Sequence, residues 1–162
     1  MTQQAAKSVP GYPSLVLLEA VTLGAGGLVG FLTRDGASFF ASLSKPAFSP
    51  PGWLFPIAWS VLYALMAFSM WLVLRQMRPE RFLLLGLYVV QLAVNLTWPF
   101  LFFQLQALGL SFFWLVLLCS LVLLMTGKFF VQRPLAGVLL LPYCGWVLFA
   151  GVLNFFLARM NP

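Results

Sequence analysis

Residues Lys45 to Trp71 read KPAFSPPGWLFPIAWSVLYALMAFSMW, and this stretch decides the fold. Pro46, Pro50 and Pro51 hold the backbone extended and remove donors, so no helix runs back through Ser49. From Trp53 the chain carries no charge as far as Leu74, long enough for a membrane span entered under an interfacial tryptophan. A helical period sorts its side chains: Trp59, Tyr63, Met66 and Met70 form a bulky stripe, and Ile57, Ser60, Ala64 and Ala67 a mostly small one. Pro56 falls in the first turn, where a missing N–H is tolerated.

Working outward, the charge map repeats this pattern. Of 162 residues 62% are hydrophobic and only 7% charged, far below the roughly 25% of a soluble domain. Uncharged gaps run from Pro46 to Leu74, Phe82 to Gly127 and Pro134 to Ala158. With about 20 residues per span the outer gaps hold one helix each and the middle one holds two. Adding Ser14 to Leu32 gives an all-α integral membrane protein, a five-transmembrane-helix bundle with a long loop between helices 1 and 2. The expected spans are about 14–32, 53–74, 82–103, 110–127 and 134–158 of one membrane domain covering 1–162.

Composition excludes much else. There is no histidine, which removes the commonest metal ligand, haem ligand and general base together. Cys119 and Cys144 fall mid-span without metal-site spacing, so no metal site, cofactor or disulfide is expected. The net charge of +6 is spread over span ends rather than clustered, which fits the lipid bilayer and not nucleic acid. Lys7, Arg75, Arg78, Arg81, Lys128 and Arg133 fall on one side against Arg34, Lys45 and Arg159 on the other, placing the N-terminus in the cytoplasm if the membrane is of the inner type. Inner and outer membrane are not distinguished by this count.

Along the chain, Gly11 and Pro13 are expected to stop any helix before Ser14, and no cleaved leader is expected. In the first span Gly24, Gly26, Gly27 and Gly30 have two readings, close packing of a neighbouring helix or room for a flat ligand. Glu19 is expected to snorkel to the interface. Phe39, Phe40 and Phe48 are too apolar for a free loop and are expected to fold back over the bundle. In the third span Gln91, Asn95, Trp98 and Phe102 share one face, and the amides serve either interhelical hydrogen bonds or a ligand. Tyr143, Trp146, Ala150 and Asn154 share a stripe on the fifth. Together the Tyr63, Trp98 and Trp146 faces line an aromatic, weakly polar pocket under the first loop, suited to a large flat conjugated ligand.

Three ordered blocks resemble the TspO/MBR family, the translocator or peripheral-type benzodiazepine receptor proteins, in a bacterial-type member. They are Lys45-Pro46-x-x-x-Pro50-Pro51-x-Trp53 with Phe55-Pro56-x-x-Trp59-x-x-Leu62-Tyr63, then Asn95-x-x-Trp98-x-x-x-Phe102-Phe103, then Pro142-Tyr143-x-x-Trp146-x-x-Phe149-Ala150-x-x-Leu153-Asn154-Phe155. The resemblance implies a receptor or sensor that binds tetrapyrroles such as protoporphyrin IX, and benzodiazepine-type ligands, with a role in porphyrin transport or regulation. Mapped onto the blocks, the ligand-binding candidates are Trp53, Trp59, Tyr63, Asn95, Trp98, Tyr143, Trp146, Ala150 and Asn154, with Arg34 and Lys45 at the mouth for the propionates. A light-dependent porphyrin-degrading enzyme is the alternative implied by some members, with Trp53 and Trp146 the only catalytic candidates. A small-molecule or sterol transporter is a further alternative. The sterol pattern quoted for animal members wants a tyrosine between Val152 and Arg159, where Phe155 and Phe156 stand. The family's acidic residue in the fourth span is Trp114 here, and family tryptophans in the first loop are phenylalanines. The family also dimerises; Gly86 and Ala93, with Val89 or Val90 between them, form a smooth strip for a homodimer contact on the third span.

Overall fold

The computed structural model describes residues 9–162, so Lys7 of the charge count lies outside the described residues. Helix α1 is Tyr12–Leu32, α2 Gly36–Ser42, α3 Leu54–Leu74, α4 Arg81–Pro99, α5 Leu108–Gln132 and α6 Pro134–Met160. A π-turn, Phe100–Gln104, continues α4. Five of these helices are long and apolar enough to cross a membrane, the fifth expected span included.

Several boundaries differ from the sequence reading. Helix α1 starts ahead of Pro13, because a proline in the first turn lacks only an N–H that would be unpaired anyway. The first loop contains α2, whose backbone sits so close to Phe103 at Gly36 that a Cβ there would land in the ring. Helix α5 continues past Lys128 to Gln132, since lysine is a good helix former and Phe129 is wholly buried one residue later. Only Arg133 then separates α5 from α6.

The core is centred on α3, α5 and α6. Met66, Met70, Leu118, Val122, Met125, Phe129 and Leu140 are completely buried there. Phe130 packs its ring on the bare backbone of Gly137, which draws α5 and α6 together. Ser69 Oγ donates to Ala136 O at 2.7 Å, joining α3 to α6. Trp114 Nε1 donates to Val94 O at 2.8 Å, joining α5 to α4.

Helix α1 lies against the outside of this core. Tyr12 stacks on Trp71 at 5.9 Å, the Trp71 indole donates to Gly11 O at 3.1 Å, and Thr22 shares a 2.5 Å hydrogen bond with Tyr88. Glu19 is half-buried on α1, with Oε2 shielded and without a hydrogen-bond partner among the described residues.

Candidate functional site

Between α1, α3, α4 and α6 lies a cavity of about 560 Å³, within the roughly 300–1,000 Å³ range of ligand pockets. Its floor is a hydrogen-bonded chain. Tyr63 Oη donates to Asn95 Oδ1 at 2.6 Å, Asn95 Nδ2 donates to Tyr143 Oη at 2.8 Å, and Tyr143 Oη donates to Gln91 Oε1 at 2.9 Å. Gln91 Nε2 ends the chain on Met66 Sδ, 2.9 Å away. An amide in hydrocarbon is costly without partners, and here each holds the next in place. The helical spacing of Gln91 and Asn95 makes this possible, because both project from the buried face of α4 toward α3 and α6.

A second amide closes the α6 side. Asn154 Oδ1 accepts from Ser111 Oγ at 2.9 Å, and Asn154 Nδ2 donates to Leu108 O at 2.9 Å. Thr33 and Ser60 also line the cavity, and their hydroxyls are spent on Val29 O and Pro56 O. The polar lining is thus largely committed to the protein itself.

The walls are aromatic. Trp98 stacks on Phe102 with centroids 4.9 Å apart and planes at 29°, a consequence of their four-residue spacing into the π-turn. Trp59 lies tilted against Tyr63 at 5.6 Å. Opposite them Gly26, Gly27 and Gly30 of α1 offer bare backbone. Gly26 is in contact with the Tyr63 ring, whereas a Cβ at Gly27 or Gly30 would meet nothing. The two readings of these glycines therefore divide by residue, packing at Gly26 and open space at the other two.

The roof is the first loop. Phe40 meets Phe55 edge-on at 5.4 Å, and Phe48 meets Phe156 edge-on at 5.6 Å. Arg34 is the charged residue lining the cavity; its side chain is 59% exposed and only 3.9 Å from Asp35, a pair worth about 0–1 kcal/mol. Its guanidinium also lies 4.2 Å over the Phe31 ring.

Of the residues singled out by sequence, Trp59, Tyr63, Asn95, Trp98, Ala150, Asn154 and Arg34 come together on this cavity. Four others are placed elsewhere. Trp53 is 66% exposed at the start of α3, where an indole anchors a helix end at the interface. Tyr143 is buried under the floor, where it holds Asn95. Trp146 stands behind the wall, edge-on to Trp59 at 6.5 Å and to Phe55 at 5.9 Å, and faces a separate groove with Pro50, Leu54 and Pro142. Lys45 turns back on the loop, donating to Ala41 O at 2.8 Å and Leu43 O at 3.1 Å, so it caps the end of α2 instead of facing the mouth. Leu153 and Leu157 line the cavity without having been named as site candidates; Leu153 stands in the third family block, and Leu157 is signalled only by its step of three from Asn154.

This arrangement offers aromatic faces along its walls and one exposed guanidinium at its mouth. Among the described residues no three histidine, cysteine, aspartate or glutamate side chains gather as metal ligands. The model of the TspO/MBR family matches residues 17–160. Protein CrtK of Rhodobacter capsulatus is 41% identical over 84% of this chain and 86% of its own length. The human translocator protein is 32% identical over 94% and 92%, and the tryptophan-rich sensory protein of Cereibacter sphaeroides 31% over 91% and 92%.

Proposed function

This chain belongs to the TspO/MBR family, and on that premise we propose that it is a membrane receptor that takes a flat conjugated amphiphile into the aromatic cavity. A tetrapyrrole such as protoporphyrin IX is the ligand class, with benzodiazepine-type compounds as synthetic occupants. Relatives named as sensory and translocator proteins support the receptor or sensor role in general terms. The observation that carries the finer reading is the cavity with stacked aromatic walls, a committed polar floor and the Arg34 guanidinium at its mouth. Rings gain stacking and apolar contact there, and a carboxylate gains a charge-assisted, bidentate hydrogen bond.

Quenching of porphyrin fluorescence by the purified protein, in darkness and under illumination, tests this. Saturable binding that Ala150→Phe weakens at least tenfold is expected, because Ala150 lines the cavity and a phenyl ring there would occupy it. Binding unchanged by that substitution would remove the cavity as the site.

Light-dependent degradation is the second reading, favoured by the edge-on Trp146 ring 6.5 Å behind Trp59. For Trp146→Phe, affinity in the dark should change little while any loss of porphyrin absorbance in light slows. Loss of absorbance at the parent rate would leave binding alone.

The protein is also proposed to be a homodimer through α4, whose Phe82, Gly86, Val89 and Ala93 form an exposed strip turned away from Asn95. Gly86→Leu with Ala93→Leu should halve the mass seen by light scattering in mild detergent. A parent that is already monomeric would contradict this contact.

A further inference from the structure

We propose that the cavity fills sideways from the bilayer, through the seam between α1 and α3, and not through the loop at its aqueous end. This rests on the reading of the cavity as a ligand site. Two sets of contacts carry it.

The first is where the lining is exposed. Gly27 and Gly30 on α1, and Pro56 and Ser60 on α3, line the cavity and are all exposed, and each belongs to a helix that borders the bilayer. Both sides of an opening are therefore present on these two helices. Below it the seam is closed, because Tyr63 packs on Gly26 and Tyr12 stacks on Trp71. Above it the end of α1 is drawn toward α4, with Gln104 Nε2 donating to Leu32 O at 3.0 Å. The seam is left with glycine backbone on one side.

The second is how firmly the roof is tied. Gly36 presses on Phe103, Phe40 meets Phe55, and Phe48 meets Phe149 and Phe156 at 6.4 and 5.6 Å. Ser44 and Asn161 exchange two hydrogen bonds of 2.9 and 3.0 Å, joining the loop to the end of α6. Entry from water would have to break contacts with three helices, whereas entry from lipid would displace acyl chains from two glycines.

The opening lies within about three turns of Arg34, near the interface by the helical rise. This selects a ligand class: a flat amphiphile lying at headgroup depth, which slides in ring first while its acidic end stays at the water boundary beside Arg34. Such a ligand never crosses water as a free molecule.

A lost wall contact speeds dissociation, whereas an obstructed gate slows association and dissociation together. Stopped-flow quenching by protoporphyrin IX, with the protein in phosphatidylcholine nanodiscs, separates the two. For Gly30→Leu, Gly27→Leu and, from the other side, Ser60→Leu, association and dissociation are each expected to slow about tenfold, whereas an effect confined to the lining these residues also form would leave association at the parent rate and speed dissociation. An added Cβ at either glycine meets nothing, so these variants should fold, and thermal unfolding checks that they do. A disulfide between Ser44→Cys and Asn161→Cys, locking the roof, is expected to leave both rates unchanged. Parent-like association in the folded seam variants, or slow rates in the locked roof, would overturn the route. No saturable binding by the parent would remove the receptor reading itself, and the route with it.

Discussion

Helices α1 and α3 are each 21 residues long and equal in hydropathy, yet Thr22 is the one buried residue of α1 whereas nine are buried along α3. Hydropathy decides that both cross the membrane, and side-chain volume decides where each ends up. Helix α3 carries Tyr63, Met66, Met70 and Trp71 on its inner side and fills the middle of the bundle. Helix α1 offers four glycines and holds on through small contacts at Gly26 and Thr22. In lipid, where apolar surface gains little by being covered, the shape of a helix face and its few polar partners set its place.

The sharpest way to break this contrast is Gly26→Val. Its branched side chain would collide with the Tyr63 ring, separating α1 from α3 and tilting the tyrosine off Asn95. A loss of about 1–3 kcal/mol is expected, read as a lower unfolding midpoint in detergent. An unmoved midpoint would mean that α1 is not seated against α3 at all. Next is Tyr63→Phe, which removes one hydroxyl from the central helix and leaves Asn95 Oδ1 without its 2.6 Å donor; about 1–2 kcal/mol should be lost. The corresponding change on α1, Thr22→Val, ends its 2.5 Å bond to Tyr88 and should cost only about 0.6 kcal/mol, the usual worth of an interhelical hydrogen bond in a membrane. A larger loss at Thr22 than at Tyr63 would reverse the ranking of the two helices. The smallest effect has the opposite sign. A Cβ at Gly24 would meet nothing, so Gly24→Ala should raise stability by a few tenths of a kcal/mol by stiffening the unfolded backbone.

Charge gaps and prolines made the five spans and their number legible, because a charge in hydrocarbon is costly whatever the fold. The aromatic stripes made Trp59, Tyr63 and Trp98 legible as cavity residues. A stripe fixes direction around a helix, however, and not depth. Tyr143, Trp146 and Ala150 share a stripe, but only Ala150 faces the cavity; Tyr143 is one layer beneath it and Trp146 one ring behind. Which layer a residue occupies depends on how far the neighbouring helix stands off, and that distance is set by partners far away in sequence. Lys45 was misplaced for a related reason: a lysine close to its own α2 carbonyls finds acceptors without crossing to the mouth. The seam glycines were visible as glycines, but their division into Gly26 and Gly27 with Gly30 depends on the tilt of Tyr63.

The π-turn at Phe100–Gln104 closes with Leu105 N on Phe100 O at 2.9 Å, one residue wider than an α-turn. That extra residue lets Phe102 stack on Trp98 while its neighbour Phe103 meets both Trp98 and the backbone of Gly36. Insertions and deletions in this segment would therefore act as rotations. Removing one residue restores ordinary winding and turns everything beyond it by about 100°. Phe103 would leave the underside of α2, and α5 would start out of phase with Asn154. The number of residues between Trp98 and Leu108 therefore sets the packing on both sides of the turn, whichever side chains fill it.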